Sequence, residues 1–314
     1  MKKFSHLFGP VLSRRLGRSL GVDLLPFKTC SLDCVYCECG RTTNLTTERQ
    51  DFFAPEEILE ELRAWKEEGG EADFVTLAGS GEPLLAKSLK KIIAGAKEIT
   101  KLPVCLITNA TLFSEADCRE AALLADVVMP SLDAADEATF KKINRPAHNL
   151  AFAAYLDGLK IFCDAYKGKG KLNLEIFLVP GINDNEEQIK ALALIALSLH
   201  ASEVQLNTAV RPPAEADVTP LSREEMEKWA TYFIPHATVI ASYSQASKKE
   251  TEGKRREISR DAVLTAIGHR TVCLDDLVKG QGFQKEEAEK VLEELVKAGL
   301  IKKVLRDGLF FYHV

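Results

Sequence analysis

The chain has 314 residues, 46% of them hydrophobic and 28% charged, with a formal net charge of −5. Such usage is ordinary for a soluble globular protein and gives no global attraction to nucleic acid or to a membrane surface. No run of about eighteen apolar residues marks a membrane span, the start Met1-Lys2-Lys3-Phe4-Ser5-His6 lacks the apolar stretch of a signal peptide, and the scattered cysteines are no disulfide framework. The expected compartment is therefore the reducing cytoplasm, with no membrane partner.

Taken in chain order, the first unusual run is Ser13-Arg14-Arg15-Leu16-Gly17-Arg18-Ser19-Leu20-Gly21. A solvated basic loop is one reading. Anion recognition is the sharper one, because guanidinium forks match carboxylate and phosphate. A strand is predicted over Leu20–Leu25. Five residues later comes Cys30-Ser31-Leu32-Asp33-Cys34-Val35-Tyr36-Cys37, three thiols in one short loop. A [4Fe-4S] cluster takes about one thiolate per iron, so three leave one iron open to a further ligand. A zinc site completed by Cys39 is the alternative from the loop alone, although zinc sites usually pair ligands from two separated places. Cys105, Cys118, Cys163 and Cys273 read as small core residues.

Beyond the loop, helix and strand patterns alternate. Helices are predicted over 55–68, 87–99, 115–124, 136–143, 151–166, 186–200 and 223–233. Strands are predicted over 73–78, 104–108, 127–129, 172–179 and 204–207. With the first strand this gives six strand–helix units, an α/β pattern that implies parallel strands with right-handed crossovers. A complete eight-fold barrel needs about 250 residues, and a partial (β/α)6 TIM-like barrel over residues 1–240 fits better. Each strand ends in a polar or glycine-rich segment: Gly79-Ser80-Gly81-Glu82-Pro83, Ile107-Thr108-Asn109-Ala110, Pro130-Ser131-Leu132-Asp133-Ala134, Pro180-Gly181-Ile182-Asn183-Asp184 and Leu206-Asn207-Thr208. In a parallel barrel all of these lie on one edge, with the cysteine loop.

These residues carry a resemblance. The cysteine run, with an aromatic residue before its last cysteine, is similar to the C-x3-C-x2-C loop of radical S-adenosylmethionine (SAM) enzymes. The family implies that Cys30, Cys34 and Cys37 hold a [4Fe-4S] cluster whose open iron is chelated by the methionine moiety of SAM. Gly79-Ser80-Gly81-Glu82-Pro83 resembles the family's GGEP segment, with Ser80 in place of the second glycine. There backbone carbonyls take the SAM ammonium, and Glu82 would assist. The resemblance further implies Asn109, Ser131 and Asp133 as SAM contacts, the Pro180, Gly181 and Asn183 turn beside adenine, and Tyr36 at its edge. Read alone, each of these side chains is equally a turn former or helix cap. Residues 8–222 also resemble the stand-alone wyosine-synthase-related group, through Lys142-Ile143-Asn144-Arg145-Pro146 and Pro26-Phe27-Lys28-Thr29-Cys30 among other phrases. No cysteine precedes Cys30, where archaeal wyosine synthases hold a second cluster.

Residues 241–257 read as a charged linker. From 258 to 314 follow three predicted helices (259–267, 273–278, 285–298) and a hairpin about Arg306-Asp307-Gly308, a pattern resembling a winged helix. The third helix carries Glu286, Glu287, Glu289, Glu293 and Glu294, the wrong charge for a phosphate backbone. The expectation is a radical SAM enzyme that cleaves SAM reductively and abstracts hydrogen from a substrate, served by a flavodoxin- or ferredoxin-type one-electron donor. A protein or peptide substrate docking through the C-terminal domain is preferred. A tRNA-base-modifying enzyme, with Arg14, Arg15, Arg18, Arg145 and Arg211 on anionic groups, is the alternative. A non-enzymatic iron–sulfur regulator is the third reading.

Overall fold

The computed structural model describes residues 4–13, 15–241, 260–268, 271–281, 283–306 and 308–313. Arg14, and all but the first residue of the charged linker, lie outside the described residues. The chain opens with β1 (Leu7–Ser13) and β2 (Gly17–Val22), an antiparallel pair. β3 (Thr29–Cys30) and β4 (Asn44–Leu45) then bracket the cysteine loop as a short parallel pair. The alternating part runs α1 (Pro55–Glu67), β5 (Phe74–Leu77), α2 (Leu89–Thr100), β6 (Val104–Thr108), α3 (Ala116–Ala122) and β7 (Val127–Pro130). It continues with α4 (Glu137–Asn144), α5 (Phe152–Tyr166), β8 (Lys171–Leu178), α6 (Glu186–Ser198), β9 (Glu203–Thr208), α7 (Arg223–Ala230) and β10 (Thr238–Val239).

One eight-stranded sheet has the order β1-β2-β5-β6-β7-β8-β9-β10, parallel from β2 onward. It is the expected α/β partial barrel, left open between β1 and β10. Two differences from the sequence expectation stand out. β1, whose apolar residues follow no strict alternation, extends the sheet by one antiparallel strand. The first parallel strand begins at Gly17, three residues early, and so draws the arginine-rich run into the sheet.

Local chemistry explains the elements. α1 starts on Pro55, carries Glu56 and Glu57 in its first turn and Lys66 in its last, and buries Ile58, Leu59, Leu62 and Trp65; each feature suits a helix end or an apolar stripe. α7 is closed by a capping box between Ser222 and Glu225. Strand residues alternate. Leu20, Val75, Leu77, Leu106, Val128, Leu174 and Leu206 pack with the helices in the main core. Cys105, Val127, Met129 and Leu16 form a separate small cluster with Phe74 and Ile107, as the period of two requires for the inner face. That inner face is apolar on β6 and β7. On β8 and β9 it is polar, where Asn173 lies beside Glu203, Glu175 beside Gln205, and Phe177 beside Asn207.

The C-terminal segment contains α8 (Arg260–Gly268), β11 (Val272–Cys273), α9 (Leu274–Gln281), α10 (Lys285–Lys297), β12 (Lys302–Arg306) and β13 (Leu309–His313). The three strands pair antiparallel in the order β11-β13-β12, around a core of its own that includes Val263, Leu277, Leu292 and Leu295. α9 lies against β1. Arg211, in the loop after β9, is forked onto Asp276 through two bonds of 3.0 Å and donates to the Thr271 carbonyl at 2.7 Å. Thr271 in turn donates its hydroxyl to the Glu38 carbonyl at 3.0 Å, next to Cys37. Arg306 donates to the carbonyls of Arg211 and Val218. Breaking one side of a buried pair costs about 3–5 kcal/mol. Arg211→Met is therefore expected to speed hydrogen exchange across 271–281; unchanged protection there would remove Arg211 as the docking contact.

Candidate functional site

The cysteine loop follows β2 and is stitched to its surroundings by backbone bonds. Asp33 N–H donates to the Asn144 carbonyl at 3.0 Å, Val35 N–H to Ile143 at 3.0 Å, and Thr46 N–H to Cys30 at 2.9 Å. Asp33 also accepts from Arg41 Nε (2.8 Å) and the Thr42 amide (2.7 Å). The loop is thereby held against the C-terminal end of α4.

Each of the three sulfurs faces a nitrogen donor from a different place. Lys28 Nζ is 3.1 Å from Cys37, Asn109 Nδ2 is 3.5 Å from Cys30, and Asn144 Nδ2 is 3.4 Å from Cys34. Lys28 is buried and sits at φ 58°. Burial opposes its charge, and the Cys37 thiolate outweighs this and holds the ammonium protonated. The Cys37 thiol is correspondingly pulled down to about 6, by its hydrogen bond with Cys39 and then by Lys28. Burial instead pushes Cys30 up to about 12 and Cys34 well above the ordinary thiol range, so those two ionise only with an electropositive ligand. N–H donors on sulfur are what an iron–sulfur cluster needs around it. Among the described residues no three His, Cys, Asp or Glu side chains converge on a single point. Cubane ligands bind different irons and need no common centre.

The strand-end residues lie along the same edge, but several are committed to the protein. Glu82, fully buried, accepts from the Leu84 amide (2.9 Å), Thr108 Oγ1 (2.6 Å) and the Asn109 amide (2.7 Å). Asp133 accepts from Tyr36, Asn144 and the Phe177 amide, while Tyr36 stacks on Phe177 at 3.8 Å. Asn183 donates to the carbonyls of Asp133 and Phe177 and accepts from the Val179 amide, each at 2.8 Å. Asn109 donates to Ser31 at 2.9 Å besides facing Cys30. Ser80 donates to Asp23 at 3.0 Å. The glycines beside it are needed for close approach: a Cβ on Gly79 would lie 2.4 Å from the Asp23 carboxylate, and one on Gly81 2.0 Å from the Thr29 carbonyl. Ser131, with its carbonyl on the Tyr155 hydroxyl, and Pro180 and Gly181, at φ 74°, complete the edge.

The arginines divide. Arg18 is exposed on Glu71 and Asp73. Arg145 and Arg41 share Glu215, and Arg211 is buried on Asp276. Arg15 alone among them enters the inner face, where Nη1 binds Glu175 and, at 3.2 Å, Gln205 Oε1. Sequence reasoning missed Lys28, Asn144, Glu175 and Gln205 as site residues. Lys28 and Asn144 stood in conspicuous phrases, but nothing local says which sulfur a side chain will meet.

The fold and this edge define a radical SAM protein, and the chain belongs to that superfamily: the family model "Radical SAM superfamily" matches residues 24–193. A UPF0026 protein of Methanocaldococcus jannaschii is 33% identical over 97% of this chain and 94% of its own length. A protein of Brachyspira hyodysenteriae described as GTPase Obg is 34% identical over 99% of this chain but only 45% of its own length, so the chain spans less than half of that relative. Among solved structures, TYW1 with a lysine-pyruvate adduct bound matches with TM-score 0.52 and 18% identity, over 70% of this chain and 74% of that one. As a radical SAM enzyme the protein uses a [4Fe-4S] cluster and SAM and needs an external electron donor. Among the described residues no helix is long and apolar enough to cross a membrane.

Glu82 offers a test of this packing. Burial raises its carboxyl from 4.5 to about 7, against the hydrogen bonds it accepts. Folding therefore takes up a proton between pH 4.5 and 7, and this group's contribution to stability falls as pH rises through that window. At 1.36 kcal/mol per pH unit the fall is about 3 kcal/mol. Glu82→Gln, unable to ionise, is expected to lose that slope although its baseline drops. Urea unfolding at pH 4.5 and 7.5 measures it, and parallel curves for the two proteins would contradict the assignment.

Proposed function

We propose that Cys30, Cys34 and Cys37 hold the [4Fe-4S] cluster, that SAM occupies the iron they leave open, and that the substrate lies in the barrel beneath. The observation that carries this reading is one nitrogen donor on each of the three sulfurs, brought together from Lys28, Asn109 and Asn144. When bound, the cluster supplies the electron that splits SAM reductively into methionine and a 5′-deoxyadenosyl radical, which takes a hydrogen atom from the substrate. The chain's own work is orientation and exclusion of water. Lys28 offsets negative charge at Cys37. Tyr36, clamped between Phe177 and Asp133, fixes the loop's last turn. The carbonyls of Gly79 to Gly81 and the Ser131 and Pro180–Gly181 segments are the proposed SAM contacts. Glu82, Asp133 and Asn183 position them from beneath.

For the substrate we infer a protein or peptide before tRNA, with electrons from a flavodoxin- or ferredoxin-type donor. The supporting observation is charge. Arg18, Arg41, Arg145 and Arg211 are each engaged by carboxylates, and Glu286, Glu287, Glu289 and Glu293 are exposed on α10. A polyanion needs a surface of unpaired cations. Strongly salt-dependent tRNA binding would overturn this part.

Two measurements test the chemistry. Cys34→Ala is expected to abolish 5′-deoxyadenosine formation from SAM in dithionite-reduced protein, and full retention would sink the assignment. Lys28→Met removes a cation next to the cluster and is expected to lower its reduction potential by on the order of 100 mV. An electron paramagnetic resonance redox titration reads that shift; an unmoved midpoint would place Lys28 outside the cluster's field.

A further inference from the structure

The inner face of β8 and β9 holds a polar group that the cluster and SAM do not use. Arg15 reaches it from the turn between β1 and β2, across 160 residues of sequence to Glu175. Its floor is the apolar cluster of Leu16, Cys105, Val127 and Met129. One register step above it toward the strand ends lie Phe177 and Asn207, with Tyr36 of the cysteine loop stacked on Phe177. A step of two residues along a strand is about 6.6 Å. The group is thus one layer below the cysteine loop, where a substrate would meet the radical.

Its hydrogen bonds are unevenly used. Glu175 accepts from Arg15 on one oxygen and from Asn207 Nδ2, at 3.2 Å, on the other. Gln205 Oε1 accepts from Arg15, and its amide donates to Glu203 at 2.8 Å. Asn207 Oδ1 accepts from the Thr208 amide. The side-chain acceptors are therefore engaged. Arg15 has both side-chain bonds on Nη1. Among the described residues no hydrogen bond is made by its Nε and Nη2, nor are these among the buried atoms without a partner, so solvent reaches them. The side chain keeps 20% of its surface. Nε–H and Nη2–H form the lateral edge of the guanidinium, a two-donor fork that matches two oxygens of one oxyanion. Glu175 and Gln205 hold the plane still, so little rotamer freedom remains to be lost on binding.

We propose that the lateral edge of Arg15 is a substrate-binding site for a single oxyanion, a carboxylate or a phosphoryl group, which anchors the substrate beneath the cysteine loop. This rests on the reading of the barrel interior as the substrate chamber. One fork suits one anionic group, in contrast to the row of cations a nucleic-acid backbone requires. Glu175 sets the affinity: its negative charge keeps Arg15 in place and also repels the incoming anion.

The test uses the full-length protein labelled with 15N-arginine. The Arg15 Nε cross-peak is assigned by its loss in Arg15→Lys. Acetate and methyl phosphate are titrated separately at constant ionic strength against chloride. A saturable displacement of the Arg15 peak by either probe, absent with chloride, is expected. A larger response to acetate identifies a carboxylate-bearing substrate, and a larger response to methyl phosphate a phosphoryl-bearing one. If the Arg15 peak moves no more than that of exposed Arg18 with both probes, the site is overturned. Glu175→Gln supplies a second arm that needs no loss of Arg15: the preferred probe should bind about fivefold more tightly once the repelling charge is gone, and weaker binding would count against the proposal. Formation of 5′-deoxyadenosine by the wild-type protein is measured separately. Its absence would defeat the radical SAM reading, whereas its presence with an unresponsive Arg15 defeats only this inference.

Discussion

Three sulfurs gathered in a poorly hydrated place must be compensated, and the rest of the structure is arranged around that requirement. Burial drives Cys30 and Cys34 away from ionisation. The loop supplies part of this itself, through the Leu32 amide on Cys30 and the hydrogen bond between Cys39 and Cys37. Further donors come from Lys28 just before the loop, from Asn109 at the end of β6, and from Asn144 at the end of α4. Only a fold that brings the ends of successive parallel strands to one edge supplies donors from such separated places. The barrel is in this sense a device for surrounding the sulfurs.

Beneath the sulfurs lies a second tier of buried carboxylates that acts on backbone. Glu82 ties the segment after β5 to the end of β6, and Asp133 ties the segment after β7 to β8 and to the cysteine loop. Buried charge is tolerated only when its hydrogen bonds are made, and both groups make three. They leave the strand-end backbone fixed before any ligand arrives, and preorganisation of this kind is where a protein contributes to chemistry carried by a cofactor. The close contacts of Gly79 and Gly81 with Asp23 and Thr29 serve the same end.

The arginines show how a net acidic chain distributes its cations. Those at the rim are each matched to a carboxylate, and Arg211 is used to seat the C-terminal segment beside Glu38. Exposed pairs of this kind add little stability. Their effect is to neutralise the rim.

Much of this was legible in the sequence. The alternation of strand and helix, the three-cysteine spacing and the polar segment after every strand are local patterns, set by side-chain period and chain reach, and they located the site's edge. What a side chain touches on that edge was not legible. Glu82, Asp133 and Asn183 read as ligand contacts, and the hydrogen bonds they make within the protein were not legible, because a side chain that faces a ligand and one that ties down backbone look alike in sequence. Lys28 and Asn144 stood in view without a partner, since nothing local in the sequence says which sulfur a side chain will meet. Arg15 and Glu175, 160 positions apart, share no pattern at all. Periodicity and spacing, then, determined the barrel and its polar edge, and the family resemblance supplied the chemistry expected there. Which groups face the sulfurs, and which arginine keeps an open edge inside, was decided by tertiary packing alone, because pairing across such distances depends on how the strands are ordered in the whole sheet.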